Sequence, residues 1–316
     1  MKPTVLLTGG FGNLGCRIAA EIHRSGDWNI RLATRSIRPS PLWAPAAEVI
    51  SLDLRNAAET EIACTGVSAI IHLAALNDRE AFANPELAEL VSGAGTRLLV
   101  RSASRAKVDR ILFMSTAQVY GSPLTGTINE LSPTHCTHPY GTSHLSGELA
   151  VKQAHESGDL LGIRLRCANG FGFPLDISAN IWHALVPDLC KQSATTRKMH
   201  LNSSGVQQRN FLPVSDIAQA VIHFLHLPSS NIHDGLFNLG GPRSYSLIEM
   251  ANMIAERSQA ILGYTPDLTH ATQQPTDSHQ QLDFKINKLI ASGFVSENNF
   301  NFELDHLLEL SKRFVS

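Results

Sequence analysis

The 316-residue chain is 43% hydrophobic and 17% charged, with a formal net charge of −2. That balance, with no basic block interleaved with aromatics, excludes nucleic acid as a main partner, and the apolar runs are too short to span a bilayer. Five scattered cysteines (Cys16, Cys64, Cys136, Cys167, Cys190) form no Cys-x-x-Cys pair and read as reduced structural thiols with no metal site, and Met-Lys-Pro runs straight into a strand, so a cytoplasmic location is expected.

Val5-Leu6-Leu7 is a short apolar run that reads as a buried strand. It turns on glycines through Thr8-Gly9-Gly10-Phe11-Gly12-Asn13-Leu14-Gly15 and enters a helical apolar spacing over Cys16–Ile22. A strand, a glycine turn and a helix start form the geometry that holds a dinucleotide pyrophosphate. Gly9 permits the tight turn, Gly12 lets backbone approach phosphate, and Gly15 lets the helix pack on the strand. Strands are expected over Asn29–Thr34, Glu48–Leu52, Ser68–Leu73, Arg110–Ser115 and Leu161–Arg166. Helices are expected from Pro85 to about Ser104 and from Tyr140 to Glu156. Continuously apolar strands alternating with helices indicate an α/β fold, a doubly wound parallel sheet covered on both faces with its ligand at the carboxyl ends.

From about Gly172 the alternation breaks. A helix is expected over Asn180–Lys191, an extended piece at Met199–Leu201 and an amphipathic helix over Asp216–His226. Gly235–Leu239 reads as a strand stopped by Gly240-Gly241-Pro242. Ser246–Ile261 reads as a helix in which Ser246 and Glu249 complete a capping box. Thr265–Gln281 is polar and loop-like. These pieces imply a smaller, discontinuous C-terminal substrate lobe. Residues 1–171 with about 206–228 then make the nucleotide-binding domain, and 172–205 with 229–316 the lobe.

Motifs run in order across nearly the whole chain: Thr8-Gly9-x-x-Gly12-x-x-Gly15, Asp53-Leu54, His72-Leu73-Ala74-Ala75, Gly95-Thr96 and Ser115-Thr116-Ala117-Gln118-Val119-Tyr120-Gly121. Pro139-Tyr140-Gly141-x-Ser143, Asn169-x-x-Gly172, Arg209-Asn210-Phe211 and Asn238-Leu239-Gly240 follow. In that order and spacing the chain resembles an extended short-chain dehydrogenase/reductase of the nucleotide-sugar epimerase, dehydratase and reductase group. The resemblance implies a Rossmann domain and an NAD(P)-dependent enzyme acting on a nucleotide-diphosphate sugar. It makes Tyr140 the acid/base at the sugar carbon that exchanges hydride with nicotinamide, with Thr116 bonding the same oxygen. Hydride transfer at a carbinol carbon must be matched by a proton on its oxygen, and a second donor orients that oxygen.

The same resemblance assigns the cofactor to Gly9, Phe11, Gly12, Asn13, Leu14, Gly15, Asp53, Leu54, Leu73, Ala74, Ala75, Tyr140 and His144. Asp53 meets the adenine amino group in such enzymes, or it is simply a turn starter. Substrate falls to Thr116, Asn169 and Arg209, the last two on the sugar diphosphate. A homodimer through the helices at about Pro85–Ser104 and Tyr140–Glu156 belongs to the same expectation. His135, Cys136 and His138 lack a completing ligand and read as a loop at the pocket mouth.

Four positions depart from the pattern or refine it. His144 stands where the family has the Lys of Tyr-x-x-x-Lys. An ammonium about 4 Å away is worth roughly 4 kcal/mol at an effective dielectric of about 20, or about three pKa units on the tyrosine. A histidine, ordinarily titrating near ~6.5, keeps a hydrogen bond and loses most of that push. Thr34 then Arg35, with Arg38 close by, closes the second strand without an acidic residue, which suits the 2′-phosphate of NADP over NAD; the alternative is a solvated basic loop. Ser92 replaces a common Asn. Ala117-Gln118 replaces the Asp-Glu pair of 4,6-dehydratases, which argues against dehydration. The leading expectation is reduction of a keto-sugar by NADPH. The alternatives are an epimerase with tightly held NAD, and a cofactor-binding sensor or scaffold without turnover.

Overall fold

Short aliphatic runs build one seven-stranded sheet in the computed structural model, which describes residues 2–176, 179–272 and 281–315. The strands are β1 (Thr4–Thr8), β2 (Asn29–Thr34), β3 (Glu48–Ser51), β4 (Ala69–His72), β5 (Arg110–Thr116), β6 (Leu161–Cys167) and β7 (Leu236–Leu239). All are parallel and lie in the order β7-β6-β5-β4-β1-β2-β3. Strand order reverses between β1 and β4, the crevice in which doubly wound sheets take their ligands. The arrangement is the parallel α/β sheet the sequence pattern implies.

Side chains alternate across the sheet and feed two cores. Val5 and Leu7 of β1 pack with Ile18, Ile22, Val221 and Phe224 from the helices Asn13–Ser25 and Val214–His226. Leu6, between them, points the other way, into a core with Ile70, Ile111, Leu99 and Val151. Each such fully buried aliphatic side chain is worth about 1.5–3 kcal/mol over exposure. A third apolar core gathers Leu189, Met199, Phe211, Met250, Ile254, Leu304 and Leu308 from segments far apart in sequence. Asn169–Phe171 runs parallel to Gln208–Pro213, which pairs antiparallel with Ser244–Ser246. No helix among the described residues is long and apolar enough to cross a membrane.

Several expectations are corrected. Leu236–Leu239, assigned from sequence to the second lobe, forms the edge strand β7 of the main sheet beside β6. The helix expected over Asn180–Lys191 spans Leu185–Thr196. Pro187 has no N–H to give and fits only the first turn, so the helix starts just before it. The polar stretch Thr265–Gln281 contains a strand, Asp267–His270, paired with Lys198–Leu201; its residues 273–280 lie outside those described. Leu282–Phe284 pairs with Gly126–Ile128, a contact with no local signal. The helix expected from Pro85 is broken into Pro85–Ala88, a π-helical turn at Glu89–Ala94 and Gly95–Arg105. In the wider turn the Ser92 carbonyl accepts the Thr96 hydroxyl at 2.6 Å. The Ser246–Glu249 capping box is present as expected.

Candidate active site

The glycine turn is built by steric exclusion. Gly9 has φ +68°, and a Cβ there would lie 3.0 Å from the Ala74 backbone nitrogen. Gly15 is tighter, since a Cβ would stand 2.3 Å from the Gly9 carbonyl oxygen. A Cβ on Gly12 would meet only that carbonyl, at 3.2 Å, so the face of Gly12 is open. The helix that follows, Asn13–Ser25, has no side-chain cap and no acidic residue in its first turn. Its first N–H groups therefore face the crevice, with the positive end of the helix dipole behind them. Asn13 Oδ1 is buried and has no hydrogen-bond partner among the described residues. An orphaned acceptor of this kind costs about 1–3 kcal/mol, which a ligand hydroxyl or amide N–H would offset. Free helix N–H groups beside an orphan acceptor fit a dinucleotide.

A buried polar chain sets this turn against β4. Thr96 donates to the Ser92 carbonyl, so its oxygen accepts from His72 Nε2 at 2.9 Å. His72 Nδ1 then accepts the Thr8 hydroxyl at 2.6 Å, and the Thr8 oxygen accepts the N–H groups of Leu73 and Ala74 at 3.2 Å. Burial pushes His72 down to about 3, which keeps it neutral and holds one tautomer. The Leu73-Ala74-Ala75 backbone is thereby fixed under Gly9.

Three adjoining cavities run along the carboxyl ends of the strands. The largest, about 630 Å³, is lined by Gly9, Phe11, Gly12, Thr34, Arg35, Asp53, Leu54, Leu73, Ala74 and Ala75. Asp53 takes Arg55 at 2.6 Å and also accepts the Arg55 backbone N–H, so it does serve a turn; that guanidinium first of all pulls its carboxyl down to about 2. Arg35 reaches neither hydrogen bond nor ion pair among the described residues, whereas Arg38 lies 4.6 Å over the Phe11 ring. The second cavity, about 340 Å³, carries Gly12, Asn13, Leu14, Gly15, Thr116, Tyr140 and His144. The third, about 230 Å³, shares Thr116 and Tyr140 with the second and adds Asp78, Gln118 and Asn169. Tyr140 and Thr116 thus stand on the wall common to two chambers.

Local structure explains their placement. Thr116 ends β5 opposite Cys167 of β6. Its oxygen accepts the Gln118 N–H at 3.2 Å, which leaves the hydroxyl hydrogen free to donate. Tyr140 is the second residue of the helix Pro139–Glu156, whose cap is His138: its Nδ1 accepts the Tyr140 N–H at 3.2 Å. The helix is tied down two turns later. Buried Glu148 accepts the Ser115 hydroxyl and pairs with Arg166 at 2.7 Å, which fixes Tyr140 relative to the end of β5. Burial, with the Cys167 thiol and the Asp78 carboxylate nearby, pushes the Tyr140 phenol up to about 12; a hydrogen bond with Thr116 opposes the rise.

His144 is buried, with its ring centroid 4.3 Å from that of Tyr140. Its Nδ1 bonds the Tyr140 carbonyl, one turn back, at 2.7 Å. Burial holds it below its ordinary value, against the opposing pulls of that carbonyl and of Glu148. Burial therefore disfavours a charged imidazolium at this position.

Asn169 Nδ2 donates to the Asn210 carbonyl at 2.9 Å, which joins the third cavity to the strand carrying Arg209. Arg209 is half-buried, and no side chain among the described residues takes its guanidinium; burial lowers its pKa, with Asp78 the opposing charge. Sequence reading did not single out Asp78, which follows the Asn77 cap of a short helix, nor the Glu148–Arg166 pair. Asp78 has no motif, and Glu148 and Arg166 meet only once helix and sheet are packed.

Comparison with known proteins gives the family and the fold. Residues 5–240 match the NAD dependent epimerase/dehydratase family. Human dTDP-D-glucose 4,6-dehydratase is 28% identical over 162 residues, 51% of this chain and 44% of that protein, so less than half of that relative is spanned. UDP-glucose 4-epimerase of Bacillus subtilis (strain 168) is 26% identical over 284 residues, 82% of this chain and 84% of the relative. The solved UDP-glucose 4-epimerase of Thermus thermophilus, in complex with NAD, shares the fold: TM-score 0.80 at 21% identity, covering 98% of this chain and 99% of that one. The matched span runs from β1 through Gly240, and the chain belongs to the NAD dependent epimerase/dehydratase family.

Proposed function

We propose that the protein reduces a keto group on a nucleotide-diphosphate sugar, with Tyr140 donating the proton and Thr116 holding the same oxygen. The observation that carries this reading is the buried imidazole of His144, 4.3 Å from the Tyr140 ring, standing where a permanent ammonium would stabilise the phenolate, while burial raises the phenol to about 12. Such a phenol is a poor base at pH 7 and a competent donor. A reduced nicotinamide dinucleotide held by Gly12, Asn13 and Gly15 would supply the hydride for the carbonyl carbon and be oxidised in doing so. Tyr140 gives its proton to the oxygen, so C–H and O–H bonds form and the carbonyl becomes an alcohol. The phenolate left behind recovers a proton from solvent. Arg209, half-buried and bonded by no side chain among the described residues, on the strand that Asn169 bonds through the Asn210 carbonyl, supports a diphosphate beside the third cavity. Exposed Leu90 and Leu149, on the two helices expected to pair, support a homodimer.

For the cofactor, Arg35 on the cavity wall and no acidic residue at the end of β2 favour NADP. Replacing Arg35 with Ala is expected to weaken NADP by about 10- to 100-fold, the value of one or two charge-assisted hydrogen bonds, and NAD by less than about threefold. Titration calorimetry with both dinucleotides checks this, and equal losses would refute it.

The UDP-glucose 4-epimerase relatives favour a second reading, epimerisation. One experiment separates the two. A reductase oxidises added NADPH when given a UDP-4-keto-hexose. An epimerase interconverts UDP-glucose and UDP-galactose with no cofactor added. Tight dinucleotide binding with neither reaction identifies the sensor or scaffold instead.

A further inference from the structure

The third cavity contains a charge that the proposed chemistry does not use. Asp78 lines it with Asn77, Thr116, Gln118, Tyr140 and Asn169, and every other residue on that wall is formally neutral. The carboxylate accepts no hydrogen bond from any described residue. His138 Nδ1 lies 3.6 Å from it, but that nitrogen is already accepting the Tyr140 N–H and has no proton to offer. Asp78 shares this cavity wall with Tyr140, and its charge is also felt by the Arg209 guanidinium. Once a diphosphate takes Arg209, the carboxylate faces the sugar without a counter-charge.

We propose that Asp78 is a specificity-determining residue that admits sugars with hydroxyl groups facing it and rejects those bearing a carboxylate. The inference rests on the nucleotide-sugar reading above. A hydroxyl donates to the free carboxylate oxygens. Asp78 is exposed at the rim of this cavity, and a sugar acid would put like charges together there, which repel.

UDP-glucose and UDP-glucuronate make the test, because they differ only in the group on C6. Both are titrated calorimetrically into the dinucleotide-loaded protein, wild type and Asp78→Asn, with UDP as reference ligand. The wild type is expected to prefer UDP-glucose by tenfold or more. Asp78→Asn should bring the two within about threefold, chiefly through tighter UDP-glucuronate, with UDP binding and thermal unfolding unchanged. A preference that is absent in the wild type, or unaltered in the variant, overturns the inference while UDP binding keeps the nucleotide-sugar reading standing. Failure of UDP itself to bind overturns that reading and this inference together.

Discussion

Tyr140→Phe is expected to lower turnover by about 10²- to 10⁴-fold, the usual worth of a positioned acid or base, with dinucleotide affinity lowered by no more than about tenfold, the worth of one hydrogen bond. Phenylalanine keeps the ring that lies 4.3 Å from His144 and removes only the proton donor. The pH profile of the wild type is the sharper measurement. With the phenol held near about 12, reduction needs the protonated form and should show no loss through the neutral and mildly alkaline range. Oxidation of the corresponding alcohol needs the phenolate, so its rate should climb about tenfold per pH unit over that same range. His144→Lys reverses the balance. An ammonium about 4 Å from the phenol lowers its pKa by about three units, which pulls the alkaline limb of reduction down and raises oxidation near pH 8 by up to about 10³-fold. If profile and turnover are unmoved by His144→Lys, the electrostatic account of this position fails.

What the sequence made legible was the part of the molecule governed by local rules. The glycine turn is readable because Gly9 and Gly15 answer to backbone clashes within a few residues or at one strand end. The parallel sheet is readable because β1 and β4 carry short continuous apolar runs, Val5-Leu6-Leu7 and Ala69-Ile70-Ile71. Tyr140, Thr116 and His144 were named by motif, and packing brings all three to one chamber. The less legible features depend on contacts between distant segments. Nothing near Leu236 signals that it returns to the main sheet. That is a matter of the connection from Val214–His226, whose apolar face packs against the Asn13–Ser25 helix. The π-helical turn at Glu89–Ala94 keeps an apolar helical spacing, so periodicity alone reads it as α. Asp78 is a surface-type residue in the sequence and a chamber wall in the fold.

The largest stability effect is expected at Glu303, in the helix Phe300–Ser311. Glu303→Ala should destabilise the protein by about 3–5 kcal/mol in urea unfolding, because it strands a buried guanidinium. Glu303 is fully buried and pairs with Arg17 at 2.6 Å, on the helix that opens at the glycine turn. The same carboxylate accepts the backbone N–H groups of Phe173 and Ser215, both at 3.2 Å. Four segments distant in sequence therefore meet at one side chain. Removing both charges separates the two contributions. Arg17→Met with Glu303→Leu abolishes the stranded charge, and where only the ion pair matters such a swap is often neutral. Here it also leaves two backbone donors without an acceptor, at about 1–3 kcal/mol each, so recovery should be partial. The exposed pair Arg105–Glu61 gives the contrast: Arg105→Ala should cost no more than about 1 kcal/mol. Full recovery in the double variant would mean that the backbone bonds contribute little. A loss in Glu303→Ala as small as that of Arg105→Ala would mean that the junction does not hold the C-terminal helix to the glycine-turn helix.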